Sequence, residues 1–381
     1  MKVVIFGAGN AGKHLLNEIQ NKSKDIQVIA FLDNILSGEI NGVPIYRPID
    51  FWKESICDEV DSFFLAAGAQ KTLKIMIDTL YDNGIREIYM MHDIAGKCKL
   101  SLFENGVMIP ERLRKIIFSD KKPTLPYIEI PITDRCNLNC KGCLFACNMV
   151  ESNSDVEINI ILNDVRRMRE LFEDIPWIRV LGGEPLMHPK INDILKGIRE
   201  IFPKSEIDLC TNGLLLPKME EDFFQTLLNN RITIHVSGYK PTYSMLDDID
   251  KILCEYGLNY TILKREEFIK YYTTEPDNQM RISYERCIAS GCRELYRGRL
   301  SRCSAAIAFE KLNKQFGTKY EVVENIDWYD IHNQKIDAWE LKKALDHASH
   351  ICKYCSDSKM ESFRWDYAGQ NPKLEDYVIN M

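Results

Sequence analysis

Long apolar runs are missing from this chain. No stretch of its 381 residues approaches 18 consecutive apolar positions, so no segment reads as a membrane-spanning helix. The charged and apolar regions of a secretory leader are missing as well. The N-terminus enters a strand and a Gly-rich turn at once, and a cytoplasmic location without membrane insertion is expected. Concentrated positive charge is also lacking. Lys and Arg number 49 against 56 Asp and Glu, a net charge of −7, which argues against a nucleic-acid partner. No internal repeat or low-complexity tract appears. At 45% hydrophobic residues, the length suits two or three domains with cores of their own. Cysteine is plentiful. There are thirteen, many for a reducing compartment where disulfides are rare, and several stand in short-spaced sets that favour metal ligation.

One of those sets is itself short of a member. Cys136, Cys140 and Cys143 form C-x3-C-x2-C at the end of an apolar, strand-like run, 127–133. Three thiolates are one fewer than a closed zinc site or an ordinary iron–sulfur cluster takes. Cys147, a further x3 along, could supply the fourth ligand of a zinc knuckle. Otherwise one position of a cluster stays open to bind something else.

Hydrophobic periodicity organises the remainder. Strands are expected at 2–6, 27–32, 61–67 and 85–90, with helices from the Gly-rich turn to about 21 and at 71–83. This order implies a doubly wound parallel sheet over residues 1–95. Residues 96–125 read as a linker, with 113–118 helical. A second series follows over 126–265, with strands at 127–133, 177–181, 206–210, 231–237 and 258–263 and helices at 158–173, 190–201, 218–229 and 242–256. It suits a full or partial (β/α) barrel. Residues 266–381 lose the alternation, gain cysteines and aromatics, and are clearly helical only at 338–347.

Gly7, Gly9 and Gly12 form G-x-G-x-x-G between the first strand and helix, and Asp33 ends the second strand. Such a turn lets a diphosphate approach a helix N-terminus while the acid takes ribose hydroxyls. NAD, another nucleotide or no ligand at all remain open. Together with F-L-D-N…I-N-G-V-P-I, 31–45, the turn resembles the N-terminal domain of bacterial sugar acyltransferases and other glycan-tailoring enzymes. That likeness implies a nucleotide-activated sugar as ligand.

The three-cysteine loop lies at the C-terminal end of a first barrel strand, where barrel active sites gather. The next strand ends in Gly182, Gly183, Glu184 and Pro185, the third in Cys210-Thr211-Asn212-Gly213, and the fourth carries Ser237. Together these resemble the radical S-adenosylmethionine (radical SAM) superfamily, with a partial (β/α)6 barrel. The resemblance implies a [4Fe–4S] cluster on Cys136, Cys140 and Cys143, whose open iron chelates S-adenosylmethionine. Gly182 to Pro185, Thr211, Asn212 and Ser237 would contact that cofactor. An electron from the reduced cluster would then generate a 5′-deoxyadenosyl radical able to take hydrogen from a C–H bond. Gly142 departs from the family pattern, because many members place an aromatic there to pack on adenine; Leu144 or Phe145 could replace it.

Cys287, Cys292, Cys303, Cys352 and Cys355 resemble the ligands of an auxiliary-cluster (SPASM/twitch-like) domain. The resemblance implies a second [4Fe–4S] cluster, with Cys287 and Cys292 competing for one place; structural zinc is the alternative. Cys147 and Cys210 are candidate hydrogen-atom donors, although they and Cys254 also read as core cysteines. His188 and His235 read as local hydrogen-bond partners. Lys264, Arg265 and Glu266 could meet substrate or form a solvated face, and Tyr271, Tyr272, Trp328 and Trp339 read as packing residues. The expected function is hydrogen abstraction from a nucleotide sugar or surface-glycan precursor, giving oxidation or epimerisation. A flavodoxin, ferredoxin or reductase would supply electrons. Peptide modification, or a non-catalytic nucleotide-binding protein with structural zinc, are the competing readings.

Overall fold

The structure is a computed structural model that describes residues 1–67, 70–91, 102–104, 107–109, 113–149, 154–276, 279–287, 291–356 and 359–379. It comprises two compact units, Met1–Asp120 and Lys121–Met381.

In the first unit the strands are β1 (Lys2–Phe6), β2 (Gln27–Leu32), β3 (Gly38–Ile40), β4 (Val43–Tyr46), β5 (Ser62–Leu65), β6 (Glu87–Met91), the hairpin β7 (Leu102–Glu104) and β8 (Val107–Ile109), and β9 (Leu113–Ile117). The helices are α1 (Asn10–Lys22), α2 (Pro48–Phe51) and α3 (Gln70–Asp82). Helix α1 buries Gly12, Leu15, Leu16 and Ile19, a single face at helical spacing. The sheet runs β3-β4-β2-β1-β5-β6-β9, parallel from β4 to β6 and antiparallel at both edges. Asn41 and Gly42, both at positive φ (51° and 78°), make the two-residue turn between β3 and β4. Asn-Gly favours this turn because its twist matches that of paired strands.

The expected helix at 113–118 is instead strand β9, paired with β6, with Leu113 and Ile116 fully buried. Apolar residues three apart fit one helix face, but the free edge of β6 offered backbone partners that a helix here could not use. The expected linker therefore contains an edge strand. Residues 96–101 at its start lie outside the described residues.

The second unit holds the expected series: β10 (Tyr127–Pro131), α4 (Ile158–Leu171), β11 (Trp177–Leu181), α5 (Ile191–Ile201), β12 (Glu206–Thr211), α6 (Glu221–Asn229), β13 (Ile232–Gly238), α7 (Leu246–Glu255) and β14 (Tyr260–Lys264). There follow β15 (Glu267–Lys270), α8 (Met280–Arg286), β16 (Glu294–Tyr296), β17 (Arg299–Ser301), α9 (Ala305–Phe316), β18 (Trp328–Asp330), α10 (Ala338–Leu345) and β19 (Glu361–Arg364). The sheet order is β14-β13-β12-β11-β10-β16-β17-β18. It is parallel from β14 to β16, so the C-terminal region supplies the sixth parallel strand.

Residues alternate across these strands, as the pleat requires. Ile128, Ile130, Ile178, Val180, Ile207, Leu209, Ile234 and Val236 join one core with Val165, Leu195, Leu227 and Leu253 of the helices. The opposite face is polar and continuous from strand to strand. Arg179 reaches Glu129 (3.8 Å) and Asp208 (3.5 Å), and His235 reaches Asp208 (3.1 Å) and Thr261 (2.6 Å). Glu294 stands in register with Glu129. Burial, and then the neighbouring Glu129, push the Glu294 carboxyl well above its usual range, so it keeps its proton.

Arg179→Met removes the cation between two inward carboxylates and should cost about 3–5 kcal/mol. Glu294→Gln, which replaces a protonated acid by a neutral isostere, should cost about 1 kcal/mol or less. Urea denaturation of both variants checks the contrast; equal losses would mean that Glu294 is ionised.

Candidate active site

The C-terminal ends of the parallel strands and the start of β15 enclose a cavity of about 470 Å³. Cys136, Cys140 and Cys143 line it, with Gly182, Gly183, Cys210, Thr211, Asn212 and Ser237. The second strand can lie against the cysteine loop only because it ends in glycine. A Cβ on Gly182 would sit 2.4 Å from the Thr133 carbonyl oxygen, and one on Gly183 2.1 Å from that of Arg135. The backbones instead join directly, Gly183 N–H to Thr133 O and Glu184 N–H to Arg135 O, both at 2.7 Å.

Glu184 and Pro185, expected beside the cofactor, do not themselves line the cavity. The Glu184 side chain is fully buried and accepts hydrogen bonds from Thr211 Oγ1 (2.7 Å), Asn212 N (2.8 Å) and Leu186 N (3.1 Å). It ties the second strand end to the third. Asn212 extends the tie, donating from Nδ2 to Asn137 Oδ1 at 2.7 Å inside the cysteine loop. Burial nevertheless raises the Glu184 pKa to about 7, against the lowering effect of those donors.

The loop sulfurs already receive donors, as cluster-ligating sulfurs do. Leu138 N–H donates to Cys136 Sγ at 3.4 Å and Trp365 Nε1–H to Cys140 Sγ at 3.1 Å. Cys147 is buried, and its thiol hydrogen-bonds to Cys143, whose pKa it takes down to about 6. Cys210 is half-buried on the cavity wall, and burial pushes its thiol up to about 12, so it retains its hydrogen. Cys254, grouped with the core cysteines on sequence, is exposed, because it lies on the solvent side of α7 while Ile249 and Leu253 take the buried side.

A second group of thiols forms behind α9. Cys303 precedes that helix, its sulfur 3.5 Å from Ala305 N. Burial raises its pKa to about 11, with Cys287 and Cys352 adding to the rise. Cys355 is raised by burial and then by Cys303, Cys352 and Cys287. Those four thiols therefore share one neighbourhood. Cys292 meets Cys303 as well, but after burial its main neighbours are Glu129 and Glu294.

Both sets fit an iron–sulfur cluster in donor chemistry, as all-thiolate groups with N–H donors on their sulfurs. Among the described residues no three His, Cys, Asp or Glu side chains are set to hold a single metal ion. Nor is any described helix long and apolar enough to cross a membrane.

The remaining candidates divide. His188 hydrogen-bonds with Val156 O and the Lys190 amide, and His235 with Thr261 while its Nε2 lies 3.1 Å from Asp208, so both engage local groups. Lys264 and Glu266 pair at 2.7 Å on the exposed face, whereas Arg265 and Tyr271 line the cavity. Tyr272 packs with Phe309, and Trp328 lies under Arg299. Sequence reasoning did not single out Tyr239, Phe268 and Ile269, which complete the wall; only their place just past strand ends could have marked them. In the first unit Asp33 accepts from the Ala8, Ile35 and Leu36 amides at 2.9, 2.9 and 3.0 Å. Burial opposes its charge, but these donors outweigh it and hold its carboxyl below the usual range. Gly12 lies so close to Gly7 that a Cβ would meet the Gly7 oxygen at 1.9 Å, while Gly9 has open space around it.

Residues 130–265 match the Radical SAM superfamily, and residues 2–80 match the PglD N-terminal domain. Curated relatives include the GTP 3′,8-cyclase of Limosilactobacillus fermentum, 31% identical over 122 residues, 30% of this chain and 34% of that protein. That of Microcystis aeruginosa is 29% identical over 143 residues, 35% of this chain and 39% of that protein. The chain thus spans little more than a third of the length of these relatives. Among solved structures, BtrN in complex with AdoMet and 2-DOIA is 16% identical and covers 68% of this chain and 99% of its own, with a TM-score of 0.39. Native anSMEcpe with bound AdoMet is 20% identical and covers 38% and 44%, with a TM-score of 0.32. At such TM-scores neither likeness bears on the fold or the chemistry.

The Glu184 shift has a defined sign. With a folded pKa of about 7 against an ordinary 4.5, the folded state holds this proton more tightly. Its contribution is complete below about pH 4.5 and is lost as pH rises towards 7. Urea denaturation from pH 4.5 to 8 should show that decline, and Glu184→Gln should flatten it. The variant should also lose about 1–3 kcal/mol at low pH, since an amide NH2 would then face the Asn212 N–H.

Proposed function

The chain carries a radical SAM domain at residues 130–265, and from that premise we propose an enzyme that abstracts hydrogen from a nucleotide sugar or surface-glycan precursor, leading to oxidation or epimerisation. The observation that carries the reading is the shared wall of Cys136, Cys140, Cys143, Gly182 and Gly183 in one cavity. A [4Fe–4S] cluster on the three cysteines, with S-adenosylmethionine, supplies reductive cleavage of that cofactor and hence a hydrogen-abstracting radical. The chain's own residues bind and orient. Gly182 and Gly183 present backbone to the cofactor, Thr211, Asn212 and Ser237 offer polar groups, and Tyr239 and Phe268 shield the site from water.

Several features favour a phosphate-bearing sugar. Arg265 lines the cavity without a carboxylate partner among the described residues, and its guanidinium suits a diphosphate. The match of residues 2–80 to the PglD N-terminal domain, with its Gly-rich turn, suits a nucleotide. The curated relatives are themselves named for a nucleotide substrate. The proposed auxiliary cluster, on Cys287, Cys303, Cys352 and Cys355, would receive the electron that an oxidation releases, while in an epimerisation the thiol of Cys210 would return a hydrogen atom and its thiyl radical would then take one electron from the external donor and a proton to restore the thiol. A flavodoxin, ferredoxin or reductase is the proposed electron source.

Anaerobic reconstitution should yield about eight irons per chain. Cys140→Ala and Cys287→Ala should each lose about four, and Cys292→Ala none. Zinc without iron would reject the reading. Incubation with dithionite, S-adenosylmethionine and deuterated nucleotide sugars should raise 5′-deoxyadenosine above background and carry deuterium into it. Failure of every sugar to do so would reject the substrate class.

A further inference from the structure

The C-terminal segment returns across the three-cysteine loop and bonds to it residue by residue. Ala368 N–H donates to Asn139 O (2.8 Å), Lys141 N–H to Asp366 O (3.1 Å) and Gly142 N–H to Asp376 O (2.8 Å). The Lys141 ammonium pairs with Asp366 at 2.8 Å. Gly142, at φ +66°, leaves room for the Phe363 ring, whose Cζ would lie 3.0 Å from a Cβ there. Between these contacts Trp365 is held by its own amide, which donates to Glu266 O at 2.9 Å. Its indole Nε1–H points at Cys140 Sγ, 3.1 Å away and 225 residues earlier in the chain.

We propose that Trp365 is a positioning residue for the iron–sulfur cluster of Cys136, Cys140 and Cys143, and that its indole N–H raises the reduction potential of that cluster. This rests on the radical SAM reading above. A hydrogen bond to a ligating thiolate withdraws electron density from sulfur, and so favours the reduced state, which carries one more negative charge. Cys140 is only 9% exposed, so little water competes for its sulfur and the donor acts at short range in a poorly screened site. The donor comes from outside the barrel.

The test is a redox titration of the reconstituted full-length protein, followed by electron paramagnetic resonance. The signal that changes on adding S-adenosylmethionine identifies the cluster with the open iron. Trp365→Phe keeps an aromatic ring without the N–H. It should disfavour reduction about tenfold, a fall of about 59 mV for a one-electron couple. Trp365→His, which retains a ring N–H, should recover part of that shift. If Trp365→Phe loses iron while Trp365→His keeps it, the N–H is again the active feature. Full iron content with an unchanged potential in Trp365→Phe overturns the proposal, as does equal loss of iron in both variants, which would assign the effect to ring packing. Absence of any iron–sulfur signal in the wild-type protein would instead remove the radical SAM reading.

Discussion

The second unit depends on the contact between the end of β11 and the segment that follows β10. Two glycines, 182 and 183, let the backbones meet where any side chain would collide with Thr133 or Arg135. That approach sets the three-cysteine loop over the strand ends. The buried carboxylate of Glu184 then passes the constraint to the third strand through Thr211 and Asn212. Asn212 returns it to the loop at Asn137. A closed circuit of backbone and side-chain bonds thus holds three cysteines on one wall before any ligand is considered.

The C-terminal region acts on this circuit from two sides. Strand β16 extends the parallel sheet and places Glu294 beside Glu129, below the cavity-lining residues. The segment after β19 covers the cysteine loop from outside and brings Trp365 to Cys140. The region read as a separate auxiliary domain is therefore continuous with the barrel in its hydrogen bonding, consistent with one compact unit from Lys121 to Met381. Its four thiols, Cys287, Cys303, Cys352 and Cys355, gather from α8, the start of α9 and the turn after α10, which explains why no short motif contains them.

Local patterns carried much of this into view. The strands and helices from Tyr127 to Lys264 follow alternation and helical spacing closely, because each strand must pack an apolar face on a helix. The polar face was also written there, in Glu129, Arg179, Asp208 and His235 between apolar neighbours. Residues 113–117 misled because Leu113 and Ile116, three apart, fit one helix face, whereas in β9 they enter cores on opposite faces of the sheet, and only pairing with β6 decided between the two. The Glu184 carboxylate takes donors from Leu186 and from the end of the next strand, a pairing that local pattern does not carry.

Sequence by itself determined the chemistry available: three cysteines in one loop, two glycines that permit close approach, a T-N-G turn and a Gly-rich turn before the first helix. Each needs only neighbours along the chain to be recognised. Tertiary structure alone decided which groups meet. It set Cys287 near Cys303, Cys352 and Cys355, joined Glu184 to Thr211 and Asn212 on the next strand, and brought Trp365 across 225 residues to Cys140. The reason is physical. A spacing rule records the reach of the local chain, whereas the partner of a buried sulfur or carboxylate is chosen by whichever donor the packed fold delivers.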